Sequence, residues 1–175
     1  MRKFLLIIVF AALCAFLYVH FRPVQPTKEN AIARLSRLVD SHIDSIFSPL
    51  EGAAPPTPHH EIRQLRGLLA DASLTATRPD QPNYNAAVQL CDTLLNAIQE
   101  RERANLSLAD TRSKAYAVGL SQNRLKEEAD KRRFFEFTIA RRWAENSQSY
   151  RTRVNSLYNY IREHERKQLT AENKP

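Results

Sequence analysis

The amino-acid sequence predicts an all-α protein, in which one N-terminal transmembrane helix precedes an antiparallel bundle of three or four helices. Residues 4–21 contain no charged side chain, which is typical of a segment that crosses a membrane. The chain has only three glycines among its 175 residues, so it offers few sites for the turns of a β-sheet. Its nine prolines separate long runs in which apolar residues recur every three or four positions, the spacing of a helix with one buried face.

The uncharged segment is long enough to span a membrane. It reads FLLIIVFAALCAFLYVHF, and a helix rising about 1.5 Å per residue would extend roughly 27 Å across a hydrocarbon core of about 30 Å. Arg2 and Lys3 precede the segment and Arg22 follows it. We predict that residues 1–22 are a retained, single-pass membrane anchor. The helical domain is expected on the exported (periplasmic or extracytoplasmic) side, because the start of the chain resembles the basic n-region of a secretory signal.

Two forms of processing and the opposite orientation are alternatives to this prediction. Cleavage next to Cys14 or Ala15 would leave an apolar stretch at the new N-terminus, which is unfavourable for a soluble end. Lipidation of Cys14 normally requires a small preceding residue, and here that residue is Leu13. A cytoplasmic domain would be favoured by the basic residues that follow the segment, which are Arg22, Lys28, Arg34 and Arg37.

The prolines define the organisation of the remaining chain. Pro23 and Pro26 make residues 23–26 a short linker between anchor and domain. We assign residues 27–168 to the helical bundle and residues 169–175 to a polar C-terminal tail.

Charge and cysteine content limit the classes of function. Leaving out the three basic residues that flank the anchor gives 23 basic and 19 acidic residues, a net charge of +4. Such a charge is common among soluble domains and gives little support to nucleic-acid binding. The bases at positions 131–133 precede Phe134, but its ring is expected to pack inward, so no nucleic-acid partner is expected. Cys14 and Cys91 lie in different segments, so no internal disulfide is expected.

The first two bundle helices are predicted from caps, prolines and apolar stripes. The first begins with Thr27 as its cap and ends at Pro49, and the second has Thr57 as its cap and Pro58 in its first turn. The apolar stripe of the first helix consists of Ile32, Leu35, Val39, Ile43, Ile46 and Leu50. The residues expected to be buried in the second helix are Ile62, Leu65, Leu68 and Leu69.

The third helix is predicted to begin near Asn83 and to stop at Gly119, with Ser121 capping the next helix. This arrangement makes the third and fourth helices a hairpin; if Gly119 is tolerated within a helix, the turn lies elsewhere. The charged residues 101–103 are expected to interrupt the apolar stripe. The stripe comprises Tyr84, Val88, Cys91, Leu94, Leu95 and Ile98 before the interruption, and Leu106, Ala109, Ser113, Ala117 and Leu120 after it.

The fourth helix has the most regular stripe. The residues expected to face inward are Ile139, Trp143, Asn146, Tyr150, Val154, Leu157 and Ile161. Their mean spacing of roughly 3.67 residues fits a straight bundle helix better than a supercoil with a 3.5-residue period. Phe134 and Phe137 are expected to widen the buried side. Asn146 is interpreted as a polar residue that fixes register or faces a rim, rather than as a ligand contact.

No motif in the sequence predicts catalysis, a cofactor or a bound metal. The glycines are too far apart for a phosphate-binding loop. His59, His60 and Glu61 are consecutive, so on a helix they point in different directions and are interpreted as solvated. Cys91 lies in an apolar stripe and is interpreted as a buried core residue. We therefore expect no enzyme, no catalytic, cofactor-binding or metal-binding residues and no small-molecule substrate.

The closing helix resembles that of the LemA family. Ala140-Arg141-Arg142-Trp143 is followed by Glu145 and by Tyr150-Arg151-Thr152-Arg153-Val154. The family's corresponding stretch reads Ala-Arg-Arg, an aromatic residue, then Tyr-Asn and an aliphatic residue. Trp143 and Tyr150 keep the aromatic spacing, whereas Ala144 and Arg151 replace the expected Asn residues, and the family's Leu-Ile-Pro-Asn-Leu motif has no counterpart. The resemblance implies an N-terminal membrane helix and a mostly helical body, without implying an activity.

These observations predict a membrane-anchored helical bundle that acts as a non-catalytic interaction or scaffold protein at the cell envelope. The short linker would keep the bundle near the bilayer, so a protein partner close to the membrane is expected. The alternative is a ligand-binding, sensor-type bundle. Because only three residues precede the apolar segment, such a sensor would have to work with a membrane partner.

Overall fold

The computed structural model describes residues 30–50, 58–113 and 122–172, and in these ranges the chain forms four helices and no strand. The helices are α1 (Ala31–Ile46), α2 (His59–Thr75), α3 (Gln81–Ser113) and α4 (Gln122–Glu172). The predicted all-α class is therefore confirmed for this part of the chain. α1 and α2 are short, whereas α3 has 33 residues and α4 has 51.

α3 and α4 form an antiparallel hairpin. Asp80, immediately before α3, accepts a hydrogen bond from Gln168, whereas Arg112 near the end of α3 pairs with Glu136 at an N–O distance of 3.7 Å. The residue numbers of the contacts on α4 thus decrease as those on α3 increase, so the two helices are antiparallel. The predicted hairpin is confirmed, although the residues assigned to its turn, Gly119 and Ser121, lie outside the described ranges.

α1 and α2 pack against this hairpin. α1 runs opposite to α4, because the Tyr158 hydroxyl donates to Asp40 within α1 at 2.8 Å, and Trp143 contacts Ser48 just after α1. α2 packs on α3 and is joined to it by the turn at residues 76–80. The described ranges therefore form an antiparallel bundle of four helices, the upper number that the sequence predicts.

The main apolar core draws on all four helices. Its large side chains with almost no exposed surface are Leu35, Val39 and Ile46 of α1, Ile62, Leu65 and Leu69 of α2, Leu90, Leu94 and Ile98 of α3, and Val154 and Ile161 of α4. All of them except Leu90 are predicted to be buried from the spacing of apolar residues. A smaller cluster, formed by Leu50, Leu108 and Trp143, lies where α1 ends.

The predicted burial of Phe134 and Phe137 is wrong, since the two side chains are 65% and 63% exposed. Successive residues of a helix are about 100° apart, so Phe134, nine positions before the buried Trp143, lies on the opposite side of α4. Phe137 is also about 120° away from Trp143. Neither ring therefore extends the buried stripe.

The predicted course of the buried stripe along the second half of α3 is also wrong. Arg101 is buried and continues the stripe instead of interrupting it, and Leu108, seven residues further on, is buried in phase with it. Leu106 is 70% exposed, and Ala109 and Ser113 are exposed too. A strict count of apolar residues misplaces this face because a polar residue occupies one of its positions.

Several predictions concern residues outside the described ranges. These are the membrane anchor at residues 1–22 with Cys14, the linker at residues 23–26, the helix caps Thr27 and Thr57, the stripe residues Ala117 and Leu120, and residues 173–175 of the tail. Among the residues that the structure describes, no helix combines the length and the apolar character needed to cross a membrane. At the boundaries that are described, α1 ends at Ile46, before Pro49, and α3 begins two residues before Asn83.

Candidate interaction surface and the adjoining groove

Three residues hold the C-terminal end of α1 on the hairpin, and we refer to Arg101, Trp143 and Ser48 as the clasp. Arg101 donates through Nη1 to the Ser45 carbonyl and through Nη2 to the Ser48 hydroxyl at 2.6 Å. Trp143 donates from Nε1 to the Ser48 carbonyl at 3.0 Å. The last carbonyls of a helix lack partners within the helix and attract positive charge, so a guanidinium is well suited to this position.

The charge of Arg101 is nevertheless costly. The side chain is 3% exposed, its Nε has no hydrogen-bond partner, and no carboxylate of the described residues pairs with it. Burial lowers the pKa of this guanidinium. We infer that this buried cation helps to fix where α1 docks, since the unpaired carbonyls that it contacts occur only at the end of the helix.

A groove of about 470 Å³ lies between α3 and α4 beside the clasp. On one wall Glu100 accepts a hydrogen bond from the Asn146 amide, and Tyr150 also lines the groove. Burial, and the negative charge of the neighbouring Glu100, raise the pKa of Tyr150. At the rim, Arg103 and Arg142 are exposed and form no ion pair with an acid of the described ranges. The groove therefore offers two unpaired cations near aromatic side chains.

Beyond the clasp the hairpin continues as an arm, which comprises residues 104–113 of α3 and residues 122–142 of α4. Its surface carries the aromatic face, which we define as the exposed residues Phe134, Phe135 and Phe137. The rings of Phe134 and Phe135 meet edge to face, with centroids 6.1 Å apart. Clustered exposed aromatic residues on a soluble surface are typical of a contact site.

Charged residues surround the aromatic face. Lys131 pairs with Glu127 at 2.9 Å and with Glu128 at 3.3 Å, and Arg141 pairs with Glu145 at 2.9 Å. These pairs are exposed and follow the three- and four-residue spacing of a helix surface, so each contributes little to stability. The expectation that Phe134 packs inward, away from the neighbouring bases, is wrong because aromatic rings and bases share the solvent-facing side of this arm.

The residues considered as metal ligands from the sequence do not converge. His59 is half-buried, His60 is exposed, and Glu61 pairs with Arg34 at 2.6 Å. In the three described ranges, no group of three His, Cys, Asp or Glu side chains could hold a metal ion.

Two other interpretations of single residues can be compared with the structure. Cys91 is completely buried, as predicted, and burial raises the pKa of its thiol to about 12, so the thiol is protonated and inaccessible. Asn146 is half-buried and donates to Glu100, which joins α4 to α3 at one level. This contact agrees with a role in fixing register.

Sequence reasoning missed Arg101 and the aromatic face. Arg101 follows Ile98 by three residues and so lies in phase with the stripe, which is the signal that could have identified it. For the aromatic face, the signal was the half-turn offset between Phe134 and Trp143. No protein-family model, curated protein or solved structure matches this chain, so the sites are interpreted from their geometry.

Proposed function

We propose that this protein is a membrane-anchored helical bundle that acts as a non-catalytic interaction or scaffold protein at the cell envelope. The observation that carries the proposal is the aromatic face on the arm. Phe134 and Phe137 keep most of their surface in water, although covering a Phe side chain contributes about 1.5–3 kcal/mol. A partner that covers both rings would gain this free energy without rearranging the bundle.

The tether is the second part of the proposal. Residues 1–22 would anchor the chain, residues 23–26 would be the linker, and the bundle would lie on the exported side. Membership of the LemA family is part of the same proposal. Support comes from the uncharged residues 4–21. Because α1 runs from Ala31 towards the clasp, the arm points away from the anchored end. The aromatic face lies about 35 Å from Ala31 along the bundle, where it can meet a partner's extramembrane domain.

Affinity capture tests the interaction surface. The full chain is captured from detergent-solubilised membranes, and recovered proteins are compared between the wild type and the Phe134→Ser/Phe137→Ser variant. Leu74→Ser is the matched control, because Leu74 is an exposed apolar residue of α2, away from the arm. A partner that is lost with the double variant and kept with the control supports the proposal. Equal recovery with the double variant refutes it.

The anchor is tested separately. Alkaline extraction should leave the full chain in the membrane, and protease added to intact cells should reach the bundle only where the outer barrier is opened. A soluble product that begins after residue 14 would contradict the retained anchor.

The groove favours one alternative, a ligand-binding, sensor-type bundle that works with a membrane partner. Arg103 and Arg142 lie at its rim near Trp143, an arrangement suited to a small anionic group. Titration with inorganic phosphate and with acetate, monitored by Trp143 fluorescence, tests this alternative. A saturable change that the Arg103→Ser/Arg142→Ser variant lacks would support it, and the absence of any change with either anion would count against it.

A further inference from the structure

Four residues on the solvent side of α4 form a stripe with a symmetric pattern. Asp130, Phe134, Phe137 and Arg141 are spaced by four, three and four residues, and we call them the outer stripe. At about 100° per residue they lie within about 60° of one another, on the side of α4 opposite the buried Trp143 and Ile161. All four are exposed.

The order acid, aromatic, aromatic, base is complementary to its own reverse. If two outer stripes meet in opposite directions, Phe134 of one copy faces Phe137 of the other, and Asp130 faces Arg141. If they meet in the same direction, Asp130 faces Asp130 and Arg141 faces Arg141, which is repulsive. The spacing of four and three residues also lets two helices interlock along this stripe.

We propose that the arm pairs with a second copy of this chain through antiparallel contact of the two outer stripes. This inference rests on the proposed function, because it names the partner that covers the aromatic face. The pairing is isologous, so each contact between unlike residues occurs twice about the two-fold axis. Asp130 forms no ion pair with a base of the described ranges, and Arg141 pairs with an exposed glutamate of its own helix that it can exchange for Asp130 of the second copy.

The charge pattern favours a second copy over an anionic lipid surface as the occupant. Lipid headgroups attract surfaces on which bases dominate. On this side of α4 the acids Asp130, Glu127 and Glu145 are matched in number by the bases Arg141, Lys126 and Arg133, so bases do not dominate. These acids weaken attraction to lipid phosphates, whereas a copy of the same stripe supplies a base opposite Asp130.

The pairing also fixes where the two bundles lie. His164 lies beside Pro79, at the end of the bundle where α3 starts. The segment of α4 from Phe137 to His164 is about 40 Å long. In an antiparallel pair these two ends therefore lie about 80 Å apart, on opposite sides of the contact. Two anchored copies would form a long rod with one tether towards each end.

Sedimentation velocity of the full chain in density-matched detergent tests the pairing. We expect the wild type to shift from monomer to dimer as its concentration rises, and Phe134→Ser/Phe137→Ser to remain a monomer. Leu106→Ser is the matched control, since this exposed residue lies on the α3 side of the arm, and it should dimerise as the wild type does. Circular dichroism of each variant confirms that the helices are retained. A wild type that stays monomeric throughout overturns the proposal.

Exchanging the charges tests both direction and register. Asp130→Arg and Arg141→Asp should each weaken dimerisation at least about tenfold, because each sets like charges opposite one another twice. The double variant Asp130→Arg/Arg141→Asp restores opposite charges only in an antiparallel pair of identical chains, so it should recover dimerisation. Failure of this recovery overturns the proposal. If the wild type is monomeric but the phenylalanine variant still loses a captured partner, the interaction function stands and self-pairing fails.

Discussion

Replacement of Trp143 tests whether the clasp secures α1 on the hairpin. The side chain is 3% exposed, packs in the cluster with Leu50 and Leu108, and donates a hydrogen bond to Ser48. Burial of about 150–250 Å² of aromatic surface, at about 25 cal/mol per Å², corresponds to roughly 4–6 kcal/mol, of which alanine retains a small part. We expect Trp143→Ala to lower the free energy of unfolding by about 3–5 kcal/mol. Trp143→Phe, which keeps a ring but loses the hydrogen bond, should lower it by about 1–3 kcal/mol.

Urea unfolding of a chain that begins at Thr27, followed by far-ultraviolet circular dichroism, measures these differences. Fluorescence is unsuitable because Trp143 is the only tryptophan. Phe134→Ala, measured at a chain concentration at which no dimer forms, is the control, since its ring lies on the same helix but faces water. It should change the free energy of unfolding by no more than about 0.5 kcal/mol. A loss below about 1 kcal/mol for Trp143→Ala would show that the burial pattern of α4 is wrong, and so would a loss for Phe134→Ala that exceeds the loss for Trp143→Ala.

Three further predictions concern single residues of the bundle. Ser48→Ala removes the hydroxyl that is one of the two acceptors of the Arg101 guanidinium, and it should cost about 1–3 kcal/mol in urea unfolding. Ser41→Ala, on the exposed side of α1, should cost less than about 0.5 kcal/mol. Gly67→Ala should stabilise the fold by about 0.5–1 kcal/mol, because the added methyl group meets no atom within 4 Å and alanine favours the helix; a lower melting temperature would contradict this. Because burial raises the pKa of the Cys91 thiol from 9.0 to about 12, this thiol should resist thiol reagents at neutral pH in the folded chain that begins at Thr27, which lacks Cys14. The stability of that chain should fall between pH 9 and 12 as Cys91 ionises in the unfolded state, and a smaller fall in Cys91→Ala checks the assignment.

Periodicity was a good guide to the fold wherever the helices pack on several neighbours. Leu35, Leu65 and Val154 are buried as predicted because each lies in a stripe that repeats with the turn of the helix. The same reasoning failed along the arm, where α4 packs against α3 alone among the described residues. On the arm, apolar residues such as Phe137 also occur on the exposed side of the helix, so composition does not distinguish the exposed side from the buried side.

The clasp was only half accessible to sequence reasoning. Trp143 belongs to the regular apolar stripe of the fourth helix, and its predicted burial is confirmed. Its acceptor, the Ser48 carbonyl, is a backbone atom 95 residues away, and no side-chain pattern encodes such a contact. From the sequence, Arg101 is expected to interrupt the buried stripe, because arginine is seldom fully buried. Only the geometry of the α1 terminus shows why a cation is retained at that position.

The contacts of α1 with α4 also predict an order of folding events. The α3–α4 hairpin forms from segments that follow one another, whereas Trp143 meets Ser48, and Tyr158 meets Asp40 across 118 residues, only after most of the chain has closed into a loop. Contacts of such long sequence separation form late, because the entropy of loop closure is lost before they contribute. The hairpin can thus assemble first and receive α1 afterwards. In a refolding experiment, the fluorescence of the single tryptophan would therefore report the docking of α1, while circular dichroism would report the earlier growth of the hairpin helices.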